Sequence, residues 1–315
     1  MSGNRHVLAY TPNEQRGFSL IELMVAMVIG LVVLSAVTGI FLSSQRTYRT
    51  TEGLGRVQES MQFGFELMAR DLREAGGNPC DVNLPIANVA DQAGANWWTN
   101  WAQPLRGFDN GALAGSAAAT DAVQLLLMGE EVVNVVSHVG TVFSVDDTVD
   151  FEANDVLMAC DMRQLAVFRA GGVDEGANTI SHSHTGNCSD ILNVLPAPCD
   201  GTAPAYLYAQ NSVISGLRGV RWFVADNANG GRSLFRAVNG GAREEMVEGV
   251  QNMQVQYLQG SDSGSYVDAG GVTNWQLVSS LRIVLTAQSS DAVGTDDSQL
   301  VRRLEHVVNL RNRTP

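Results

Sequence analysis

The stretch RGFSLIELMV, residues 16–25, opens an apolar run from Phe18 to Leu42 in which Glu22 is the only charged residue. At about 1.5 Å per helical residue, this run covers about 37 Å, enough to cross a hydrocarbon core of about 30 Å. A carboxylate deep in a bilayer costs at least about 2.5 kcal/mol, so an acidic residue in such a run indicates a function. The run therefore predicts a transmembrane helix with Glu22 as its candidate functional residue.

Three other interpretations of this run need no special role for Glu22. A cleaved secretory signal has a shorter apolar core, of about 7 to 15 residues, and a small-residue cleavage site that is not evident here. A plain signal anchor fits the length and leaves Glu22 as an accident near the helix end, where snorkelling lowers its cost. A buried helix of a soluble protein is disfavoured by so long an apolar stretch.

The segment RGFSLIEL, residues 16–23, followed at once by the apolar run, resembles the processing site of type IV pilins and type II secretion pseudopilins. The resemblance implies cleavage by a prepilin peptidase between Gly17 and Phe18, with methylation of the new amino group of Phe18. Residues 1–17 would then be the leader peptide. In this family the glutamate of an incoming subunit meets the amino terminus of a neighbour. The resemblance thus implies a docking role for Glu22.

The composition fits an exported subunit and excludes several enzyme classes. The chain has 315 residues, 45% of them apolar, and a net charge of −13, with 20 arginines and no lysine. There is consequently no P-loop lysine, Schiff-base lysine or Ser-x-x-Lys nucleophile. The acidic total argues against nonspecific nucleic-acid binding. Arg302, Arg303, Arg311 and Arg313 form either a local basic patch or, as we favour, alternating strand charges. We predict no catalytic residue, cofactor or metal.

The helix is predicted to continue beyond the apolar run, because apolar residues recur every three or four positions. They are Leu54, Val57, Met61, Phe65, Met68 and Leu72. This stripe predicts packing against the chain's own globular domain. Gly76, Gly77 and Pro79 then stop the helix. Three regions result: a leader at 1–17, a helix at 18–76 that is transmembrane at 18–42, and a globular domain at 77–315.

The globular part is predicted to consist of strands and turns. Runs rich in β-branched and apolar residues predict the strands. They lie at residues 122–128, 131–136, 141–145, 155–160, 164–170, 219–226, 233–238, 252–258, 275–287 and 299–310. The segment NANGG, residues 227–231, predicts a hairpin. The predicted fold class is α+β and pilin-like: a long N-terminal membrane-spanning helix packed on a β-rich domain.

Segments spread along this domain resemble PilW-type minor pilins. They are TDAVQLLL, NDVLMACDMRQLAVF, GLRGVRWFVADNANGGRSLFR, EEMVEGVQNMQVQYLQG and VVNLRNR. The resemblance implies a non-enzymatic structural subunit of the pilus tip complex that primes type IV pilus assembly and supports twitching motility and adhesion. The J pseudopilins of type II secretion share a less complete plan and are the first alternative. A membrane-anchored periplasmic binding or hydrolytic domain is the second, and it requires a convergent catalytic or metal cluster.

The resemblance also implies partners and a location. The partners are the prepilin peptidase, other minor pilins, the major pilin, a large tip adhesin and the membrane, with no specific nucleic acid. The location is the inner membrane, single-pass with a periplasmic C-terminal domain, and then the pilus at the cell surface. The flanking charges do not decide the orientation, because Arg5 and Arg16 are matched by Arg46 and Arg49.

Four cysteines, Cys80, Cys160, Cys188 and Cys199, allow three complete pairings. Their even number suits the oxidising periplasm. Cys188 and Cys199 bracket a short proline-containing loop, so we expect them to pair and to leave Cys80 with Cys160.

Two further groups of residues have the composition of binding sites. His182, His184 and Cys188 in SHSHTGNC are of metal-ligating types, but the Ser- and Asn-rich surroundings and the expected disulfide favour a solvated loop. The tryptophans of ANWWTNW, Trp97, Trp98 and Trp101, predict either a surface for a partner or sugar, or half-buried packing under a long loop.

Overall fold

A computed structural model describes residues 17–81, 83–90, 96–148, 150–184, 186–260, 264–289, 292 and 298–312. The chain divides into two units, residues 1–52 and 53–315. The helix α1 (Leu20–Glu74) begins in the first unit and ends in the second. Of the expected leader, only Gly17 is among the described residues, and Arg313 also lies outside them.

The described part of the first unit is the beginning of α1, preceded by three non-helical residues. Its apolar side chains are exposed, for example Phe18 at 87% and Ile40 at 68%. By length and composition, this helix can cross a membrane. An apolar surface of this extent needs lipid or other helices around it in place of water.

Within the second unit, α1 packs through the predicted apolar stripe. Met61, Phe65, Met68 and Leu72 are buried, which confirms the prediction for this half of the helix. Gly64 allows a close approach to the sheet, because a Cβ there would lie 2.5 Å from a methyl group of Val247. The helix ends before Gly76, which has a φ of +72°, a conformation that favours glycine.

The remainder of the second unit is β-rich. The described residues form the strands β1 (Ile86–Asn88), β2 (Leu105–Phe108), β3 (Ala122–Val139), β4 (Val142–Val145), β5 (Val156–Cys160), β6 (Leu165–Arg169), β7 (Gly172–Asp174), β8 (Thr179–Ser181), β9 (Val213–Asp226), β10 (Arg232–Val238), β11 (Arg243–Glu248), β12 (Val250–Gln259), β13 (Val278–Gln288) and β14 (Val301–Asn309). A long apolar N-terminal helix followed by a β-rich domain is the predicted α+β architecture, which is confirmed.

The strands form a large sheet and a small one. The large sheet has the order β1-β6-β5-β9-β3-β4-β8-β7, with β2 paired to β3 and with β10 between β9 and β11. The small sheet has the order β12-β13-β14. The segment NANGG joins β9 and β10 as a hairpin, with Asp226 opposite Arg232, as predicted. The main core contains buried side chains of α1 and of both sheets.

The structure differs from the predicted strands in their bounds and number, and β9, for example, begins at Val213, six residues before the predicted start. The predicted strands at 122–128 and 131–136 form one strand, β3, which is irregular between Met128 and Val132 where it pairs with β9. Five strands were not predicted: β1, β2, β7, β8 and β11. Four of these five are only three or four residues long, too short for an alternating pattern to stand out.

Candidate functional site

The Gly17–Phe18 junction lies just before α1. Residues 17 to 19 have no helical backbone, and both Gly17 and Phe18 are exposed. A Cβ added at Gly17 would have no atom within 4 Å among the described residues. A peptidase needs an accessible, non-helical peptide bond, because helical backbone groups are already hydrogen-bonded to one another. The junction has both properties.

Ser19 and Glu22 form a capping box at the start of α1. The backbone N–H of Ser19 donates to Oε2 of Glu22 at 3.1 Å, and the backbone N–H of Glu22 donates to Oγ of Ser19 at 3.2 Å. Each side chain thus satisfies a backbone donor that the first turn leaves open. We did not predict this role from the sequence, although Ser-x-x-Glu before an apolar run is its known signature.

The capping box fixes where the negative charge lies. The carboxylate bends back toward residue 19, one residue from Phe18, whose amino group would be freed by cleavage. Glu22 is otherwise flanked by apolar side chains on the surface of α1: Ile21, Val25, Ala26 and Ile29. A charge in apolar surroundings favours an opposite charge nearby. The arrangement can cap the helix and can also attract a cation from outside.

A buried carboxylate connects the second half of α1 to the large sheet. Asp71 is 4% exposed and accepts a hydrogen bond from Nε1 of Trp222 at 2.9 Å. The Nε of Arg236 lies 3.2 Å from one carboxylate oxygen, and Nη2 of Arg218 lies 3.7 Å from the other. These partners are on β9 and β10. This contact was not predicted, since the partners of Asp71 are more than 140 residues away in the chain.

Two disulfides are present, and they join the pairs that we expected. Cys80 is bonded to Cys160 across 80 residues, with a Cα–Cα distance of 6.2 Å. Cys188 is bonded to Cys199 across 11 residues, with a Cα–Cα distance of 5.3 Å. The first bridge connects the segment after α1 to the end of β5. The second closes a surface loop.

The histidine-containing loop is not the solvated loop that we expected. His182 is 1% exposed, and its Nε2 lies 2.7 Å from Nε2 of His138. His184 is exposed, while Cys188 is held in its disulfide and cannot serve as a thiolate ligand. In the part of the chain that the structure describes, no three His, Cys, Asp or Glu side chains are placed to hold a metal ion.

The buried histidine pair is uncharged near neutral pH. Nδ1 of His138 accepts a hydrogen bond from the backbone N–H of Tyr208 at 3.1 Å, so the neutral ring carries its proton on Nε2 and donates it to His182. The pKa of both rings is lowered from 6.5 to about 4, mainly by burial, and for His138 the neighbouring His182 contributes to this lowering. Protonation of either ring would place a charge inside the core.

The tryptophan segment packs on the large sheet. Trp101 is buried, while Trp97 and Trp98 are half-buried. An added Cβ at Gly219 would collide with the Cβ of Trp98 and the Trp97 ring, and one at Gly240 would collide with the Trp98 ring, so these two glycines make room for the tryptophans. The half-buried packing interpretation is therefore confirmed. The guanidinium of Arg221 lies over the Trp97 ring, 4.1 Å from its centroid.

Comparisons with known proteins match two regions of the chain. Residues 12–38 match the prokaryotic N-terminal methylation motif, and residues 221–312 match the family described as type IV pilus-assembly protein W. The comparison with curated proteins gives no match. Among solved structures, a type IV-like pilin from Thermus thermophilus is 12% identical with a TM-score of 0.32, over 82% of this chain and 97% of that chain. The first match contains the Gly17–Phe18 junction and the capping box, and the second runs from β9 to just beyond β14.

Proposed function

We propose that this chain is a PilW-type minor pilin, a structural subunit that helps to prime type IV pilus assembly from the pilus tip complex, and its two family matches support this proposal. In this proposal the chain is not an enzyme. The observation that carries the proposal is the Glu22 carboxylate at the start of an exposed apolar helix, next to the Gly17–Phe18 junction.

The proposed docking step pairs two opposite charges. Cleavage after Gly17 leaves a cationic amino group on Phe18, and Glu22 of an incoming subunit meets this group on a neighbour. At about 4 Å and an effective dielectric constant near 20, their attraction is about 4 kcal/mol. Desolvation costs several kcal/mol per ion, so the pair adds little net binding. Its value lies in selecting one register between apolar helices that could otherwise slide past one another.

The capping box makes a three-variant experiment possible. Ser19→Ala removes the acceptor of the Glu22 N–H and keeps the carboxylate, Glu22→Gln keeps an acceptor for the Ser19 N–H and removes the charge, and Glu22→Ala removes both that acceptor and the charge. The cap contributes about 1 kcal/mol to the helix. If Glu22 docks through its charge, incorporation into sheared pilus fractions should fall for Glu22→Gln and Glu22→Ala and remain near wild type for Ser19→Ala.

The control is the amount of each processed variant in membrane fractions, which should be equal. Low incorporation of Ser19→Ala and Glu22→Ala, with normal Glu22→Gln, would assign Glu22 to helix capping alone. Equal incorporation of wild type and all three variants would show that the carboxylate has no function in assembly.

The proposal includes a location and a set of partners. The prepilin motif and the apolar helix support membrane anchoring. We propose a single pass through the inner membrane with the second unit in the periplasm, where two disulfides are chemically stable. Processing by the prepilin peptidase would be followed by assembly with other minor pilins, the major pilin and a large tip adhesin. Twitching motility and adhesion would depend on this subunit through pilus number.

A deletion strain tests the pathway. Under the proposal, deletion reduces surface pili and twitching, and type II secretion continues. A strain that keeps its pili but loses secretion would identify the chain as a pseudopilin instead.

A further inference from the structure

Three arginines lie in one cross-strand row on the large sheet. Arg106 on β2 is opposite Gln124 on β3, which is opposite Arg221 on β9. Arg221 is opposite Ala237 on β10, which is opposite Arg243 on β11. Residues opposite one another in a sheet share a face, so all three arginines project from the same side. We call Arg106, Arg221 and Arg243 the arginine row.

The row lies on the face that does not pack against α1. The neighbours of Arg221 along β9, Val220 and Trp222, point the other way and are buried in the main core. Arg106 and Arg243 are exposed, and Arg221 is half-buried. Arginines lie on every second strand here, so the backbone positions of adjacent members are separated by about 9.6 Å, or two strand spacings.

Each arginine of the row lies over an aromatic ring. The guanidinium carbons of Arg106, Arg221 and Arg243 are 5.1, 4.1 and 4.5 Å from the ring centroids of Phe108, Trp97 and Phe235. Gln124 also holds Arg221, accepting from its Nε at 3.1 Å and its Nη2 at 2.8 Å. Stacking covers a face of a guanidinium and leaves N–H groups on its edge to donate in the plane.

No carboxylate within the described ranges forms an ion pair with the row. Among the described residues, ion pairs within 4.0 Å involve Arg70, Arg218, Arg232, Arg236, Arg282 and Arg303, but no member of the row. Arg243 donates to the backbone carbonyl of Asp226 at 3.1 Å instead. Burial and the charge of Arg106 lower the pKa of Arg221. In a chain of net charge −13, this is a local concentration of unneutralised positive charge.

We infer that the arginine row is a docking site for a partner protein that presents carboxylates about 10 Å apart on one helix face, as glutamates at positions i and i+7 do. Guanidinium edges bind carboxylates with two parallel hydrogen bonds. This site is separate from the docking role proposed for Glu22, and its test does not depend on pilus assembly.

A nucleic acid fits the row less well. Binding of single strands uses free aromatic faces on which bases stack, whereas Trp97 and Phe108 are half-buried under guanidiniums and Phe235 is 5% exposed. Three cations also give only a weak electrostatic contribution, which the net charge of −13 opposes. An acidic helix needs only a few carboxylates and avoids most of this repulsion.

The test is a binding measurement on the full chain in non-ionic detergent. The probe is a fluorescent helical peptide with glutamates at i, i+7 and i+14, and its control has glutamine at those positions. We expect binding of the glutamate peptide alone, weakened about three- to fivefold by Arg106→Gln and again by Arg243→Gln. Arg302→Gln, an exposed arginine on β14, should bind as wild type.

Two comparisons make the result decisive. Arg106→Lys keeps the charge and loses the planar edge, so it should recover only part of the affinity. A single-stranded oligothymidine of about 20 nucleotides should bind more weakly than the glutamate peptide. Equal binding of both peptides, wild-type affinity of the Arg106→Gln/Arg243→Gln variant, or tighter binding of the oligothymidine would each overturn the inference.

Discussion

Replacing Asp71 with alanine should destabilise the second unit by about 3 kcal/mol. The substitution leaves Nε1 of Trp222 without its acceptor and leaves the guanidiniums of Arg218 and Arg236 without their common carboxylate. Removing one partner of a buried ion pair costs about 3–5 kcal/mol. The lower end applies because the two arginine side chains are 24% and 21% exposed and can regain water. Asp71→Asn keeps an acceptor for Trp222 and should cost about half as much.

The assay is urea unfolding of the full chain in non-ionic detergent, followed by tryptophan fluorescence. Arg70→Ala is the matched control, because Arg70 is 68% exposed in its pair with Glu74 and should change stability by less than about 1 kcal/mol. A double-mutant cycle with Arg236→Ala should give a coupling energy of about 1.5–3 kcal/mol. The reasoning fails if Asp71→Ala lies within about 1 kcal/mol of wild type, or if the two substitutions are additive.

Three further predictions concern the histidine pair, the disulfides and the processing site. The pKa values of His138 and His182 fall from 6.5 to about 4 on folding, so the unfolded chain binds more protons than the folded chain between pH 4 and 6.5. The stability of the fold is therefore retained above pH 6.5 and lost as the pH falls toward 4. The loss is up to about 1.4 kcal/mol per pH unit for each ring. The unfolding free energy measured across this range should depend less steeply on pH in His182→Asn than in wild type. An unchanged pH dependence in this variant would contradict the assignment. His184→Asn is the control, because His184 is exposed. Nonreducing peptide mapping should recover Cys188 linked to Cys199, and a native peptide linking Cys80 to Cys188 would refute that pairing. Mass spectrometry should find a mature chain that begins at methylated Phe18, and Gly17→Leu should block cleavage; normal processing of that variant would count against the proposed peptidase site.

The parts of the fold that depend on the spacing of residues along the chain could be predicted from the sequence. The stripe from Met61 to Leu72 has helical spacing, and its burial followed from that spacing alone. β11 (Arg243–Glu248) escaped prediction because REEMVE contains three acidic residues, which are depleted in strands. This strand forms by pairing with β10, so its position is decided by tertiary contact.

The candidate site was likewise predictable only where its residues are close together in the sequence. Glu22 stood out as the single charge in an apolar run, and the Ser19–Glu22 cap was also readable from its spacing. The contact of His138 with His182 and that of Asp71 with Trp222 join residues 44 and 151 positions apart. Such pairings depend on strand order, and no periodicity in a single sequence encodes them.

Under the proposed function, in which the subunit is pulled through its helix, the bridge between Cys80 and Cys160 has a mechanical consequence. Tension on α1 acts on the domain first through side-chain packing and the Asp71 contacts. If these yield, Cys80 lies six positions beyond Glu74 in the chain, a contour length of about 21 Å. Beyond that extension, load passes covalently into β5, a strand held on both sides by β6 and β9. The bridge thus limits how far the end of α1 can be pulled away from the β-rich domain.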